Sequence, residues 1–181
     1  LSGKVAILSW GTLKISNASY TEAKSPLDIS NATQRNFSAI QRSYGVIPFK
    51  RINGVNHYLL LQNRYGEHWG FPKGHPEDED NNDIDAALRE FEEETSLNKK
   101  DIFLVMPDTK FLEEYTYDRL GTKHEKISTY FLGEYTGKEV VKPQESEISD
   151  FKWLPFAETK KLITYDALRG VFEKAHKALN K

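Results

Sequence analysis

The sequence predicts a mixed α/β (α+β) fold over residues 42–181, on three observations. Two strand-like runs, Tyr44–Lys50 and His57–Gln62, flank the turn dipeptide Asn53-Gly54. A segment of helical period, Asp83–Ser96, follows them. A second group of strand-like runs then leads into an amphipathic C-terminal helix.

In chain order, residues 1–41 stand apart as an N-terminal extension in which 13 positions are Ser, Thr or Asn and charges are sparse. Within it, Val5–Trp10 and Leu13–Ile15 have the composition of short strands. The apolar run Val5-Ala6-Ile7-Leu8 is too short for a signal h-region. Asn17, Asn31 and Asn36 match the glycosylation acceptor pattern, which chance supplies readily in so Asn/Ser/Thr-rich a segment. After the first hairpin, Tyr65–Lys73 reads as a loop rich in glycine and aromatic residues, bent by Pro72. Beyond the helix come strand-like runs at Ile102–Met106, Lys110–Thr116, Lys126–Tyr135 and Phe151–Leu154. Helices are expected at Pro155–Ile163 and Tyr165–Leu179, the second with Leu168, Phe172, Ala175 and Leu179 on one face.

Composition removes several functions. At 38% hydrophobic and 12% aromatic residues, the 181-residue chain has the material for a core. No stretch approaches the roughly 18–20 apolar residues of a membrane span, so no membrane partner is expected. With no cysteine, disulfides, thiolate catalysis and cysteine-held metals are excluded, and a reducing, cytoplasmic setting is the expectation. There is no Gly-x-Ser-x-Gly elbow, so nothing suggests a covalent nucleophile. The net charge of −2 is unevenly spread: residues 77–94 carry −9, which leaves +7 on the other 163 residues.

On a helical wheel with Ile84 at 0°, Leu88, Phe91 and Thr95 fall within about 40° of it and form the expected buried stripe. Glu93, Glu90 and Glu94 fall near about 180°, 240° and 280°, in a sector facing away from that stripe, whereas Glu92 does not join them. Three like charges within one turn destabilise a helix unless something offsets them, and a divalent cation does so. An EF-hand fits neither register: counted from Asp78 the twelfth position is Arg89, and counted from Glu79 the sixth is Ile84. Upstream, Trp69-Gly-Phe-Pro-Lys-Gly-His75 joins two glycines to a proline-fixed bend, a loop able to turn backbone groups and Lys73 toward an ion or phosphate.

Gly74 together with Arg89-Glu90-Phe91-Glu92-Glu93-Glu94-Thr95-Ser96-Leu97 resembles the Nudix box over a stretch of similarity covering about residues 42–165. The Arg-Glu-apolar-any-Glu-Glu core is complete. Two positions depart from the pattern: the loop is one residue longer, so its Glu falls to Glu79 or Asp80, and Ser96 replaces the late Gly. The Trp69–His75 loop, the strand Lys126–Leu132, and Glu147 ahead of Trp153-Leu154 are similar to the diadenosine tetraphosphate hydrolase branch. The resemblance implies an α/β/α sandwich with a mixed sheet and a loop–helix–loop catalytic motif. It implies Mg²⁺, for which Mn²⁺ can substitute, held by Glu90, Glu94 and the Gly74 carbonyl. Glu93 would coordinate or polarise the attacking water, Glu147 would add a carboxylate, and Arg89 would orient the glutamates. Lys73 and Lys126 would meet phosphates and Tyr117 would stack on a base.

The implied reaction is asymmetric hydrolysis of diadenosine tetraphosphate to ATP and AMP by direct water attack, a chemistry of positioning and charge neutralisation. The alternatives are an RNA 5′-end pyrophosphohydrolase, a diphosphoinositol polyphosphate phosphatase, or a silent nucleotide-binding domain. The small-molecule nucleotide is the expected partner. The extension is compatible with a targeting remnant, a partner-docking arm or a lid.

Overall fold

The computed structural model describes residues 40–181, Gly121 excepted; Val5–Trp10 and Leu13–Ile15 lie outside the described residues, as does residue 1–41 of the expected extension except Ile40 and Gln41. Strands β1 (Gln41–Ile52) and β2 (Val55–Asn63) form a hairpin whose two turn residues, Asn53 and Gly54, have φ of 51° and 80°. Positive φ at both positions is what a two-residue turn needs to match strand twist, and Asn-Gly is the pair that tolerates it. Two short strands follow, β3 (Trp69–Gly70) and β4 (Lys73–Gly74), inside the segment expected to be only loop. Helix α1 (Asp83–Thr95) comes next, then a 3-10 turn at Lys99–Asp101. The remaining elements are β5 (Ile102–Leu104), β6 (Phe111–Arg119), β7 (Thr122–Tyr135), β8 (Ile148–Pro155), α2 (Phe156–Leu162) and α3 (Asp166–Leu179).

The eight strands make one mixed sheet along the path β3-β2-β1-β7-β5, with β4 also on β1, β6 on β7 and β8 on β2. Among the described residues only β1 and β7 run parallel, in a register from Gln41 opposite Lys126 to Phe49 opposite Glu134. Because side chains alternate across a strand, neighbouring residues serve opposite layers. Ile47, Tyr58, Leu60, Tyr130 and Leu132 face Val171 and Phe172 of α3, whereas Val46, Leu59, Leu61 and Phe131 face Ala87 and Phe91 of α1. This is the expected sandwich, with helices on both faces. Among the described residues no helix is long and apolar enough to cross a membrane.

Helix α1 starts where Asn82 Oδ1 accepts the amides of Ile84 and Asp85 at 2.9 and 3.1 Å, a side-chain N-cap. It ends at Ser96, whose φ of 56° lies in the left-handed region, and whose amide bonds the Glu92 carbonyl at 2.8 Å. A side chain there costs roughly 1–2 kcal/mol relative to glycine. The Ser96 hydroxyl offsets part of this by donating to the Lys142 carbonyl at 2.8 Å. The buried side of α1 also departs from the expected stripe. Phe91 and Thr95 are buried, but so are Ala86, Ala87 and Glu94, while Ile84 and Leu88 are only half-buried.

On the other face, His176 of α3 bonds Tyr58 through Nδ1 at 2.7 Å and stacks on Phe156 at 3.8 Å. Asn180 is its other polar neighbour. Burial holds the imidazole below its ordinary value. The unfolded chain therefore takes up the proton first as pH falls below about 6.5, and stability drops there, because it declines wherever the unfolded state binds more protons. In urea titrations, the stability advantage of the wild type over His176→Gln should be constant above about pH 7 and should shrink as the pH falls below about 6. A gap that stayed constant or widened on acidification would show that His176 is not held neutral by the fold.

Candidate active site

The loop ahead of α1 folds back across the helix flank that carries the glutamates. Val46 donates its amide to the Pro72 carbonyl at 3.1 Å, and β4 pairs with β1 at Tyr44 opposite Gly74. This brings the Lys73 amide to 3.2 Å from Glu94 Oε2. It also lays Gly74 against Glu90 so closely that a Cβ there would stand 2.1 Å from the carboxylate. Here the glycine is required by close approach rather than by a turn. The acidic sector therefore does not face solvent as the wheel alone implied. Glu94 is 9% exposed and the Glu90 side chain 13%, while Glu93 is open at 49%. The physical reason is non-local: periodicity within α1 cannot register a strand that packs over its flank.

Arg89 ties this wall together. Its Nε and Nη2 donate to both oxygens of Asp80 at 3.1 and 3.0 Å, a forked pair. Nη1 donates to Glu90 at 2.9 Å and to Glu93 at 3.1 Å, and Nη2 also reaches the His75 carbonyl at 2.8 Å. Arg89 thus touches two of the glutamates it is expected to orient. Of the two loop candidates it is Asp80, not Glu79, that meets the guanidinium, with Glu77 also 3.8 Å away. The hydrogen bonds from Arg89 hold the Asp80 carboxyl below its usual range.

The glutamates are shifted the other way. Burial pushes Glu94 up to about 8, with Lys73 opposing and Glu90 and Glu147 adding to the rise. Burial likewise raises Glu90, against the pull of Arg89, and Glu93 and Glu147 contribute. Glu147 itself is exposed on the turn before β8, close enough for its charge to be felt by both. Among the described residues no three acidic or imidazole side chains stand together as a ready-made cation cage, and Glu90 and Glu93 both bond Arg89. The donor chemistry nonetheless fits a hard divalent cation. Glu90, Glu93, Glu94 and Glu147 offer only oxygen, and Glu94 is a buried carboxylate whose hydrogen bond comes from a backbone amide, that of Lys73.

Beside this wall lies a cavity of about 690 Å³ that brings together all three residues expected to bind substrate, Lys73, Lys126 and Tyr117. Burial and the neighbouring Lys73 lower the Lys126 ammonium, while Glu113 opposes the shift. One side of the Tyr117 ring is covered by His124, stacked at 5.2 Å, and its hydroxyl donates to Gln41 at 2.9 Å. A smaller chamber of about 70 Å³ shares Lys73, His68 and Glu113 with the large cavity and reaches Glu94. Glu113 was not singled out from sequence. It is 4% exposed and accepts the Tyr130 hydroxyl at 3.2 Å. Strand alternation held the clue, since Phe111, Glu113, Tyr115 and Tyr117 share one face of β6. Tyr165, half-exposed at the start of α3 and tilted against His68 at 5.5 Å, was also missed, and its wall of the cavity is reachable only through tertiary packing.

Comparison with known proteins gives a consistent result. The family model for the NUDIX domain matches residues 40–174. The asymmetrical bis(5′-nucleosyl)-tetraphosphatase of Rattus norvegicus is 30% identical over 145 residues, spanning 76% of this chain and 95% of that protein. Its Mus musculus counterpart is 29% identical over the same shares. Among solved structures, the binary complex of a C. elegans Ap4A hydrolase superposes with a TM-score of 0.67 at 24% identity, over 78% of this chain and 98% of that one. The E. coli dihydroneopterin triphosphate pyrophosphohydrolase gives a TM-score of 0.59 at 17% identity, over 76% and 97% of the two chains.

Proposed function

Because the chain belongs to the NUDIX family and is a hydrolase of phosphoanhydride bonds, we propose that its substrate is diadenosine tetraphosphate, cleaved asymmetrically to ATP and AMP with Mg²⁺. The observation that carries the reading is a pair of cavities that share Lys73 as a wall. Two lysines suited to a polyphosphate, and tyrosines suited to a nucleobase, line the larger cavity, and the smaller one is lined by Glu94. The activity of the rodent relatives supports the same substrate.

In this reading Lys73 and Lys126 bind phosphate oxygens and draw off charge along the chain. Tyr117, with Tyr115 and Tyr165 lining the same cavity, provides ring faces for the base. Glu90, Glu94, the Gly74 carbonyl and Glu147 would hold the cation, which when bound supplies Lewis-acid neutralisation of the phosphoryl oxygens. Glu93, the most open of the clustered carboxylates on α1, orients the attacking water and takes its proton. The water oxygen bonds to one phosphorus while that phosphorus loses its bond to the bridging oxygen, which leaves with the larger nucleotide. Arg89 touches no substrate and keeps the carboxylates in place.

The test is a ranking of kcat/KM for diadenosine tetraphosphate, 5′-triphosphorylated RNA and a diphosphoinositol polyphosphate under one buffer with Mg²⁺. The dinucleotide should lead by at least about tenfold, a difference of roughly 1.4 kcal/mol in transition-state binding. If RNA led, and fell steeply with added salt, the basic wall of the cavity would belong to a nucleic-acid groove instead.

A further inference from the structure

Arg64 lies in the turn between β2 and β3, exposed, and outside both the acidic helix and the Trp69–His75 loop. Its contacts all run to one short segment. The Arg64 amide donates to the Glu147 carbonyl at 2.7 Å. Its Nε donates to the Glu145 carbonyl at 2.5 Å, and Nη2 lies 3.5 Å from the Ile148 carbonyl, at the outer limit of a hydrogen bond. The arginine therefore grips the backbone on both sides of Glu147 and at Glu147 itself. The far end of the same segment is fastened to the helix that carries the other carboxylates. Gln144 donates its amide to the Glu94 carbonyl at 3.2 Å, and the amides of Glu147 and Ile148 close back onto the Gln144 carbonyl at 3.0 and 2.8 Å.

We propose that Arg64 is a positioning residue that clasps the 144–148 turn so that the Glu147 carboxylate is presented to Glu90 and Glu94, completing the cation site. This rests on the reading of Glu147 as an additional carboxylate for the cation. An exposed acidic side chain on an untethered turn would sample many positions, and its contribution to a shared ion would be diluted accordingly. The clasp removes that freedom using backbone carbonyls, which leaves the Glu147 carboxylate itself unengaged. A planar guanidinium can span two carbonyls, whereas an ammonium lacks the fork.

The experiment measures Mn²⁺ affinity of the substrate-free protein by electron paramagnetic resonance, with kcat and its Mn²⁺ dependence measured alongside. Arg64→Ala, Arg64→Lys and Glu147→Gln should each weaken Mn²⁺ binding on the order of tenfold, as loss of supporting groups around a metal typically does. The double variant Arg64→Ala/Glu147→Gln should be no weaker than Glu147→Gln alone, because Arg64 acts through Glu147. Additive losses would overturn the clasp, since a purely structural effect on the turn would show that pattern. Wild-type affinity in Arg64→Lys would overturn it too, because simple charge attraction would then suffice. Arg64→Lys also keeps the test readable if the alanine variant is unstable. Should Arg64→Ala bind normally while Glu147→Gln does not, the clasp fails and the role of Glu147 stands. Normal binding by Glu147→Gln would remove both.

Discussion

Glu94→Gln should lower kcat by roughly three orders of magnitude, about 4 kcal/mol of transition-state stabilisation, while the protein remains folded. Glutamine has nearly the same shape, and its amide oxygen can still accept the Lys73 amide that now bonds Glu94 at 3.2 Å. What it removes is the negative charge that Glu94 carries above about pH 8, or when a cation is bound, in a site that is 9% exposed. A buried carboxylate without a full partner costs the fold free energy, so the neutral amide should leave the free energy of unfolding equal or higher. Activity and stability therefore move in opposite directions, a combination that a merely structural glutamate would not give. Near wild-type turnover in this variant would remove Glu94 from the cation site.

Arg89→Ala should act through the opposite imbalance and should be the most destabilising single change in the site. The side chain is 15% exposed and holds the carboxylates of Asp80, Glu90 and Glu93 together with the His75 carbonyl. Removing the cation from a buried network leaves uncompensated charge, at a cost of about 3 kcal/mol or more. The partner assignment makes the result specific. Adding Asp80→Asn to Arg89→Ala should recover part of the lost stability, because Asp80 is the partner most completely tied to the guanidinium. Glu79→Ala, at the exposed neighbouring position, should change stability by less than about 0.5 kcal/mol. Urea denaturation of the four proteins decides it, and a double variant no more stable than Arg89→Ala, or a loss in Glu79→Ala as large as that in Arg89→Ala, would mean that Asp80 is not the partner fixed to the guanidinium.

The contrast between these two residues shows what the sequence made legible. Helix α1 and its glutamates could be read directly, because a 3.6-residue period is a local feature. The Asn53-Gly54 hairpin was readable for the same reason. The burial of Glu94 was not, since it depends on Lys73 and Gly74 being carried over the helix by a strand that pairs with β1 far upstream. The left-handed backbone at Ser96 was hidden by a residue type that rarely adopts it. Asp80 could not be named over Glu79 as the neighbour of Arg89 because one inserted loop residue shifts the register, and that contact depends on the three-dimensional path of the loop. Glu113 is the intermediate case: strand alternation put it on the correct face of β6, but only the sheet order placed that face over the cavity.

Turnover of diadenosine tetraphosphate with and without Mg²⁺, with the products separated by ion exchange, tests the central claim most directly. The account predicts equal amounts of ATP and AMP, formed only when Mg²⁺ is present. Two molecules of ADP, or turnover that persists in a strong chelator, would contradict it.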